Sequence, residues 1–358
     1  MHKLFITILV FSFLFASCKK ESKGIKLRFI DEYTLQDSLH FKNTLVGGLS
    51  GIDYDGEYFY FVVDDSNTPR VLKSNIKFAN DTIQGITFKD VIIIKDSSEF
   101  FMENILDLES VIYNANKQEF HLVSEGFIKG NKSPSIFTIS SEGKYVNTYA
   151  IPSYFKTEAK HNASFESSTR NIDNTGVWVA MESVLKSDGE EPGFSKTNSP
   201  VRITLFDTKT RLPIKQFVYQ LDQFSKAKKG NINVNGVTAI LEYRKNEFIV
   251  VERAYQSGYG SYGNTVKLYK VVINETTTNT LQKPKLKHLE LMFAKKELLL
   301  NFNNITPFLT KGIIDNIEGI TFGPLLSNGN KSLLLVSDDN FKKYDPQINQ
   351  FILLEIID

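Results

Sequence analysis

The chain has 358 residues, one cysteine, and 42 basic against 41 acidic side chains. That balance removes the electrostatic case for nucleic acid or an anionic membrane surface as a partner. A single cysteine forms no disulfide within the chain, so an apolar core must hold the fold, and a chain of this length can bury one large domain or two smaller ones.

Residues 1–17 open with the positive charge of Lys3. An apolar run over residues 4–15, broken by Thr7 and Ser12, is followed by the small Ala16 and Ser17 and then Cys18. That order predicts a secretory signal, and the run is shorter than the ~20 residues that span a bilayer. The segment resembles the bacterial lipoprotein box, with Phe15 where leucine is usual. We therefore expect cleavage before Cys18, lipidation of its thiol, and a polar tether over residues 18–24. The alternative is an ordinary signal peptide with Cys18 there by chance. The expected location is outside the cytoplasm, lipid-anchored to the cell envelope at the outer membrane. Residues 25–358 would form one soluble, monomeric domain that touches the membrane through the lipid alone.

That domain is rich in Phe, Tyr, Ile and Val, which favour strands. Its short apolar runs are separated by Gly, Asn, Asp and Ser clusters, as in all-β folds. One pattern recurs five times: LSGIDYDGEYFYFVVDD (49–65), LESVIYNANKQEFHLVSE (108–125), FESSTRNIDNTGVWVAME (165–182), GVTAILEYRKNEFIVVE (236–252) and IEGITFGPLLSNGNKSLLLVSDD (317–339). Each reads as a hairpin whose second strand is apolar and ends in an acid. Further strand-like runs between the copies, such as VIIIKD and VRITLFD, complete four-stranded units. Such units repeated around an axis make a β-propeller, here of five or six blades. The terminal runs LRFIDEYTL and FILLEIID could pair in a shared blade, giving the sixth. An irregular β-sandwich is the competing fold. Residues 285–300 read as a short helical insertion.

In a propeller, equivalent positions of the inner strands converge on the axis. Aligning the copies puts Glu109, Glu166 and Glu318 at one position, with Ser50 and Val237 in the other two. The second strands end in Asp64, Glu125, Glu182, Glu252 and Asp338. Two rings of carboxylates would follow. Unpaired acids at that density repel one another and hold protons more tightly, and bound cations relieve this. Calcium, with six to eight oxygen ligands in loose geometry, suits such a ring. Asp65 and Asp339 add hard donors in the turns after Asp64 and Asp338, although each turn also reads as an Asx-turn. The competing reading has the acids capping strand ends or pairing with arginines. Arg70, Arg170, Arg202 and Arg253 are candidates to fork phosphate or carboxylate oxygens, or to salt-bridge the ring acids. The loop YQSGYGSYGN (255–264) precedes a strand rather than a helix, so it reads as a channel-mouth loop and not a nucleotide loop. Trp178 is core or an aromatic wall, and His121 is structural. There is no HExxH and no GxSxG, and Cys18 is taken, which disfavours zinc, serine and cysteine hydrolases.

In order, GGLSGIDYD, YFVVDDS, DLESV, SFESSTRN, VAMESVLKSDG, SPVRITLFD, IVVERAYQSGYG and NIEGITFGPLLSNGNKSLLLVSDDNF resemble the phytase-like family described as having esterase-like activity. The resemblance runs over residues 47–341. It implies an exported, propeller-like hydrolase acting on a small phosphoester or carboxylester. By analogy with calcium-dependent propeller phytases, it implies calcium held by Glu109, Glu166, Glu318 and neighbouring acids, with Arg70, Arg202 and Arg253 on a phosphomonoester. Two other functions stay open: a non-catalytic surface binding module, and a calcium-dependent carboxylester or lactone hydrolase.

Overall fold

The repeated hairpins form the two inner strands of five four-stranded antiparallel sheets. The computed structural model describes residues 24–95, 97–343 and 347–358. The proposed signal segment and Cys18 lie outside them. Strand β1 (Lys26–Thr34) precedes a small hairpin, β2 (His40–Phe41) and β3 (Thr44–Leu45). Blade 1 is β4 (Leu49–Tyr54), β5 (Phe59–Val63), β6 (Arg70–Ala79) and β7 (Thr82–Ile93). Blade 2 is β8 (Leu108–Asn114), β9 (Glu119–Ser124), β10 (Ser135–Ser140) and β11 (Tyr145–Thr148). Blade 3 is β12 (Phe165–Arg170), β13 (Gly176–Met181), β14 (Pro200–Asp207) and β15 (Pro213–Gln220). Blade 4 is β16 (Asn233–Arg244), β17 (Glu247–Gln256), β18 (Asn264–Val272) and β19 (Lys295–Asn301). Blade 5 is β20 (Asn316–Phe322), β21 (Ser332–Asp338), β22 (Gln350–Ile357) and, from the other end of the chain, β1.

Each inner strand touches the next, β4 to β8 to β12 to β16 to β20 and back to β4, so the five sheets close a ring. This is a five-bladed β-propeller. The terminal runs do pair, Lys26 opposite Ile357 through Thr34 opposite Gln350. They finish the blade that β20 and β21 begin, so the described residues hold no sixth blade. The ring is then closed by pairing the first strand with the last, which ties the two ends of the chain into one blade.

The core lies between the blades. Phe61 and Leu49 of blade 1 pack with Leu334, Val336 and Phe351 of blade 5. Trp178 of blade 3 meets Phe217 of its own sheet and Phe248 of blade 4 edge-on. Both faces of the inner and second strands are buried this way, which is why those runs read as nearly continuous apolar stretches.

The helical insertion expected over residues 285–300 is not formed. Lys295–Asn301 is β19, the outer strand of blade 4, and residues 273–294 cross the edge of blade 3 without a helix. Their backbone groups bond to that blade instead: Thr280 N–H to Gln216 O (3.0 Å) and Ala294 N–H to Val218 O (3.2 Å). Buried Leu286 donates its N–H to Asp188 Oδ1 (3.1 Å). An unpaired row of groups on β18 needed a strand, and that need outweighed local helix propensity. Among the described residues no helix is long and apolar enough to cross a membrane.

Candidate functional site

A one-residue slip recurs in every inner strand. The register shifts between Leu49 and Gly51, Leu108 and Ser110, Phe165 and Ser167, Val237 and Ala239, and Ile317 and Gly319. A bulge leaves one residue outside the ladder and re-aims its side chain. The five bulged residues are Ser50, Glu109, Glu166, Thr238 and Glu318. The sequence alignment had placed Val237 in this set, so blade 4 is off by one. Ser50 Oγ and Thr238 Oγ1 donate to the carbonyls of Leu108 (2.6 Å) and Ile317 (2.7 Å), each just before the bulge of the next blade. The three glutamates line a cavity of about 1060 Å³ at the centre of the ring.

The second strands feed the same cavity. Leu49 faces Val63, Leu108 faces Ser124, Phe165 faces Met181, Val237 faces Glu252 and Ile317 faces Ser337. The residues that follow are Asp64, Glu125, Glu182, Arg253 and Asp338, and all five line the cavity. The ring therefore holds four acids and one arginine. Glu252 does not belong to it. A strand alternates its faces, so a one-residue error carries a side chain to the opposite side. Glu252 accepts from Tyr219 Oη (2.6 Å), Asn235 Nδ2 (2.8 Å), Asp222 N–H (2.9 Å) and Lys296 Nζ (2.8 Å), away from the axis.

Within the cavity the acids divide into two groups. Arg253 Nη2 lies 3.5 Å from Glu182 Oε1 and 3.4 Å from Glu318 Oε1, and Asn316 Nδ2 donates to Glu318 at 2.8 Å. The Nε of Arg253 is buried without an acceptor. On the other side, Asp64, Asp107 and Glu109 bring one oxygen each within 4.8 Å of one another, and so do Glu109, Glu125 and Glu166. Glu109 is common to both groups. Glu109 and Glu166 are 8% and 7% exposed, and neither has a hydrogen bond or ion pair among the described residues.

Burial, reinforced by neighbouring carboxylates, raises the proton affinity of the whole group. Glu109 and Glu166 are held well above the usual carboxylate range. Burial and the nearby Glu182, Asp107 and Asp64 push Glu125 up to about 9. Asp64 rises to about 8 through burial and a hydrogen bond with Asp107. Glu318 also rises to about 8, because burial outweighs the lowering effect of Arg253. Asp338 is raised well above its ordinary value by burial and by Glu318.

The other candidates have private structural partners. Arg70 donates to Asp65 Oδ2 (2.8 Å) and to the carbonyls of Thr68 and Leu45. That contact removes both Arg70 and Asp65 from the axis. Arg170 forks Asp53 and reaches Tyr113 O. Arg202 is fully buried against Asp188, with Nε to Oδ2 at 2.6 Å and Nη2 to Oδ1 at 2.8 Å. Asp339 accepts from the backbone of Gly48 and Phe341 and from Asn349 Nδ2 (3.0 Å), which is the Asx-turn reading. Its carboxylate leaves no room for a Cβ at Gly47, and the Phe341 ring leaves none at Gly48. His121 is buried and bonded to Tyr149 Oη (2.7 Å), and burial lowers its proton affinity to about 4. Trp178 is core. The loop 255–264 does line the cavity, through Tyr255, Gly258, Gly260, Ser261 and Asn264.

Asp107 and Asn316 are site residues missed in the sequence. Each stands two positions before a bulged glutamate, in DLE and NIE. Residues i and i+2 of an extended segment share a face, so that spacing was the available signal.

Comparison with known proteins adds the following. A family described as phytase-like, esterase-like activity of phytase, matches residues 44–341. No curated protein matches the chain. Among solved structures, an α-L-arabinofuranosidase from Podospora anserina in complex with cellotriose is similar at 7% identity and TM-score 0.43, over 93% of this chain and 98% of that one. An exo-1,5-α-L-arabinanase from a bovine ruminal metagenomic library is similar at 7% identity and TM-score 0.43, over 86% and 93%. The major Malassezia sympodialis allergen Mala s 1 is similar at 8% identity and TM-score 0.37, over 92% and 78%.

Proposed function

This chain belongs to the phytase-like family, and from that premise we propose that its axial cavity hydrolyses phosphoesters with the help of a bound divalent cation. The observation that carries the reading is the pair Glu109 and Glu166, buried beside three further acids without a salt bridge among the described residues, with Arg253, already shared by Glu182 and Glu318, acting on Glu166 from a distance. Two or more carboxylates held so near each other cannot all ionise unless charge is supplied.

The donor set fits a hard cation, since it is all oxygen, and calcium is the proposed ion. Glu109 would be shared, with Asp64 and Asp107 on one side and Glu125 and Glu166 on the other. When bound, such an ion neutralises carboxylate charge and polarises a phosphoryl oxygen. Arg253 would orient the substrate, with guanidinium hydrogens on the remaining phosphoryl oxygens. Glu318, held beside Arg253 and by Asn316, would stand next to the bound phosphoryl group and pass a proton to the departing oxygen.

The test is hydrolysis of p-nitrophenyl phosphate by the purified protein, run beside a carboxylester panel. Activity should vanish on exhaustive chelation and return with calcium. Activity indifferent to chelation rejects the cation, and inertness towards every ester rejects the hydrolase. Export and a lipid on Cys18 complete the proposal. Replacing Cys18 by Ala should move the protein from the membrane to the soluble fraction, and unchanged fractionation rejects the anchor.

A further inference from the structure

The acids and Arg253 account for only part of the cavity. A volume of about 1060 Å³ is at the top of the range of roughly 300–1,000 Å³ that encloses a whole drug-sized ligand, far more than one phosphoryl group needs. One wall of the remainder is apolar. Pro192, Phe224, Ile232, Val234 and Tyr255 line it, and Phe194 packs on Phe224 with ring centroids 5.1 Å apart. These residues come from the loops after β13 and β15 and from the facing ends of β16 and β17. Ile232 is 59% exposed and Val234 48% exposed, so apolar side chains are held in water at the edge of a charged well.

The lip is tied in place. Phe224 N–H donates to Gly193 O (2.9 Å), Ser257 N–H donates to Ile232 O (2.9 Å), and Ile232 N–H donates to Ser257 Oγ (3.0 Å). Gly230 packs on Ser257 so closely that a Cβ there would collide. The apolar surface is therefore presented by fixed backbone next to the site.

Charge limits the other end of the ligand. Among the described lining residues Lys160 and Arg253 carry fixed positive charge, and Lys160 is paired with Glu191. A molecule bearing several phosphates would meet one guanidinium, already shared with Glu182 and Glu318, and further acids beyond those a bound cation neutralises. Floor and lip together fit an ester with a single anionic head and an apolar body.

We propose, resting on the hydrolytic reading, that the site selects phosphomonoesters whose alcohol is apolar, an alkyl or aryl group seated on Phe224, Ile232 and Val234 with the phosphate at Arg253. In the reaction the oxygen of water bonds to phosphorus, the bond from phosphorus to the alcohol oxygen breaks, and a proton from water ends on that oxygen. The products are inorganic phosphate and the apolar alcohol. Burial of alkyl carbons on the lip stabilises binding in proportion to the area covered.

Non-hydrolysable phosphonates test the lip apart from the chemistry. Calorimetry compares decylphosphonate with methylphosphonate, both in calcium and below micellar concentration. The parent protein and an Ile232→Asp, Val234→Asp double variant are measured, with folding checked by circular dichroism. Decylphosphonate should bind the parent at least tenfold more tightly than methylphosphonate, and the double variant should shrink that ratio below threefold. Equal affinities in the parent overturn the proposal. So does a ratio that survives in the variant, or phytate hydrolysed as fast as decyl phosphate. The expected binding ratio without hydrolysis of any monoester overturns the hydrolase and leaves the lip as a seat for amphiphilic anions.

Discussion

Glu252 and Arg253 are neighbours in the chain, and they belong to two acidic regions built on opposite rules. Glu252 is in a side cluster of blade 4 where every charge is answered. It and Asp222 share Lys296, and Asp222 also meets Lys267 and Tyr269. Burial would raise Asp222, but Lys296, Tyr269 and Lys267 outweigh it and hold the carboxyl at about 2. Arg253 points into the axial well, where it pairs with Glu182 and Glu318, acts on Glu166 only from a distance and leaves Glu109 and Glu166 without a salt bridge. A buried acid with its own cation is explained by the fold. A buried acid without one requires either a proton or a ligand, and the positions of the two regions separate structure from function within one blade.

The hardest blow to that contrast falls on the answered side. Replacing Lys296 by Met strips Glu252 of its cation while it stays buried, and breaking a buried pair this way costs about 3–5 kcal/mol. Urea denaturation at neutral pH should show that loss, with calcium affinity unchanged in whatever protein remains folded. A loss under 1 kcal/mol would mean that the side cluster is not held by its ion pairs.

On the unanswered side the sign should reverse. Glu109→Gln removes one of several repelling acids, so the metal-free protein should be as stable as the parent or more so. Calcium binding by calorimetry should weaken sharply, and hydrolysis should drop by a factor on the order of 10², the scale seen when one electrostatic group of an active site is lost. A destabilised variant that still binds calcium normally would make Glu109 structural.

The two regions also predict opposite responses to pH. Asp64, Glu125 and Glu318 titrate near 8, 9 and 8 in the folded chain and near 4 when unfolded. Between those values the folded state binds more protons, so stability contributed by the well is complete at low pH and is lost as pH rises through about 8–9. Asp222 is depressed, so its contribution is present above its unfolded value and is lost as pH falls towards 2. Metal-free protein should therefore melt a few degrees lower at pH 9 than at pH 6. Calcium should flatten that slope, because the ion replaces the protons. A melting temperature that rises over this interval would contradict the description of the well.

The contrast also marks how far the sequence could be read. The five hairpins and their convergence were legible, because an apolar second strand ending in an acid is a local pattern repeated with its own turn. Glu109, Glu166 and Glu318 were found that way. Blade 4 was not, because its bulge falls at Thr238 and its hairpin carries extra residues before it. Aligning the copies on their entries therefore chose Val237 and Glu252, each one residue short of the position that faces the well. Partners were also illegible. Asp188 is a short step in sequence from Arg202, but nothing in the residue types says that this acid lies fully buried on that guanidinium while Glu109 is left alone. Length misled for residues 285–300: Leu298, Leu299 and Leu300 suit a helix in isolation, and only the unfinished edge of β18 makes them a strand.

The smallest prediction concerns the bulge itself. Five blades share the slip, but in blades 1 and 4 the extra residue is a hydroxyl that clasps the next blade, and in blades 2, 3 and 5 it is an acid that faces the well. If the bulge positions a side chain and the residue type decides its use, Thr238→Val should cost about 1 kcal/mol, the net worth of one buried hydrogen bond. Valine keeps the shape of threonine and removes only the donor to Ile317 O. Calcium affinity and hydrolysis should not change, since Thr238 does not line the cavity. Ser50→Ala, which frees Leu108 O, should behave alike, with an added contribution from the smaller side chain. A tenfold loss of calcium affinity in Thr238→Val, with stability intact, would place the hydroxyl among the ligands and undo the division of labour between the two kinds of bulge.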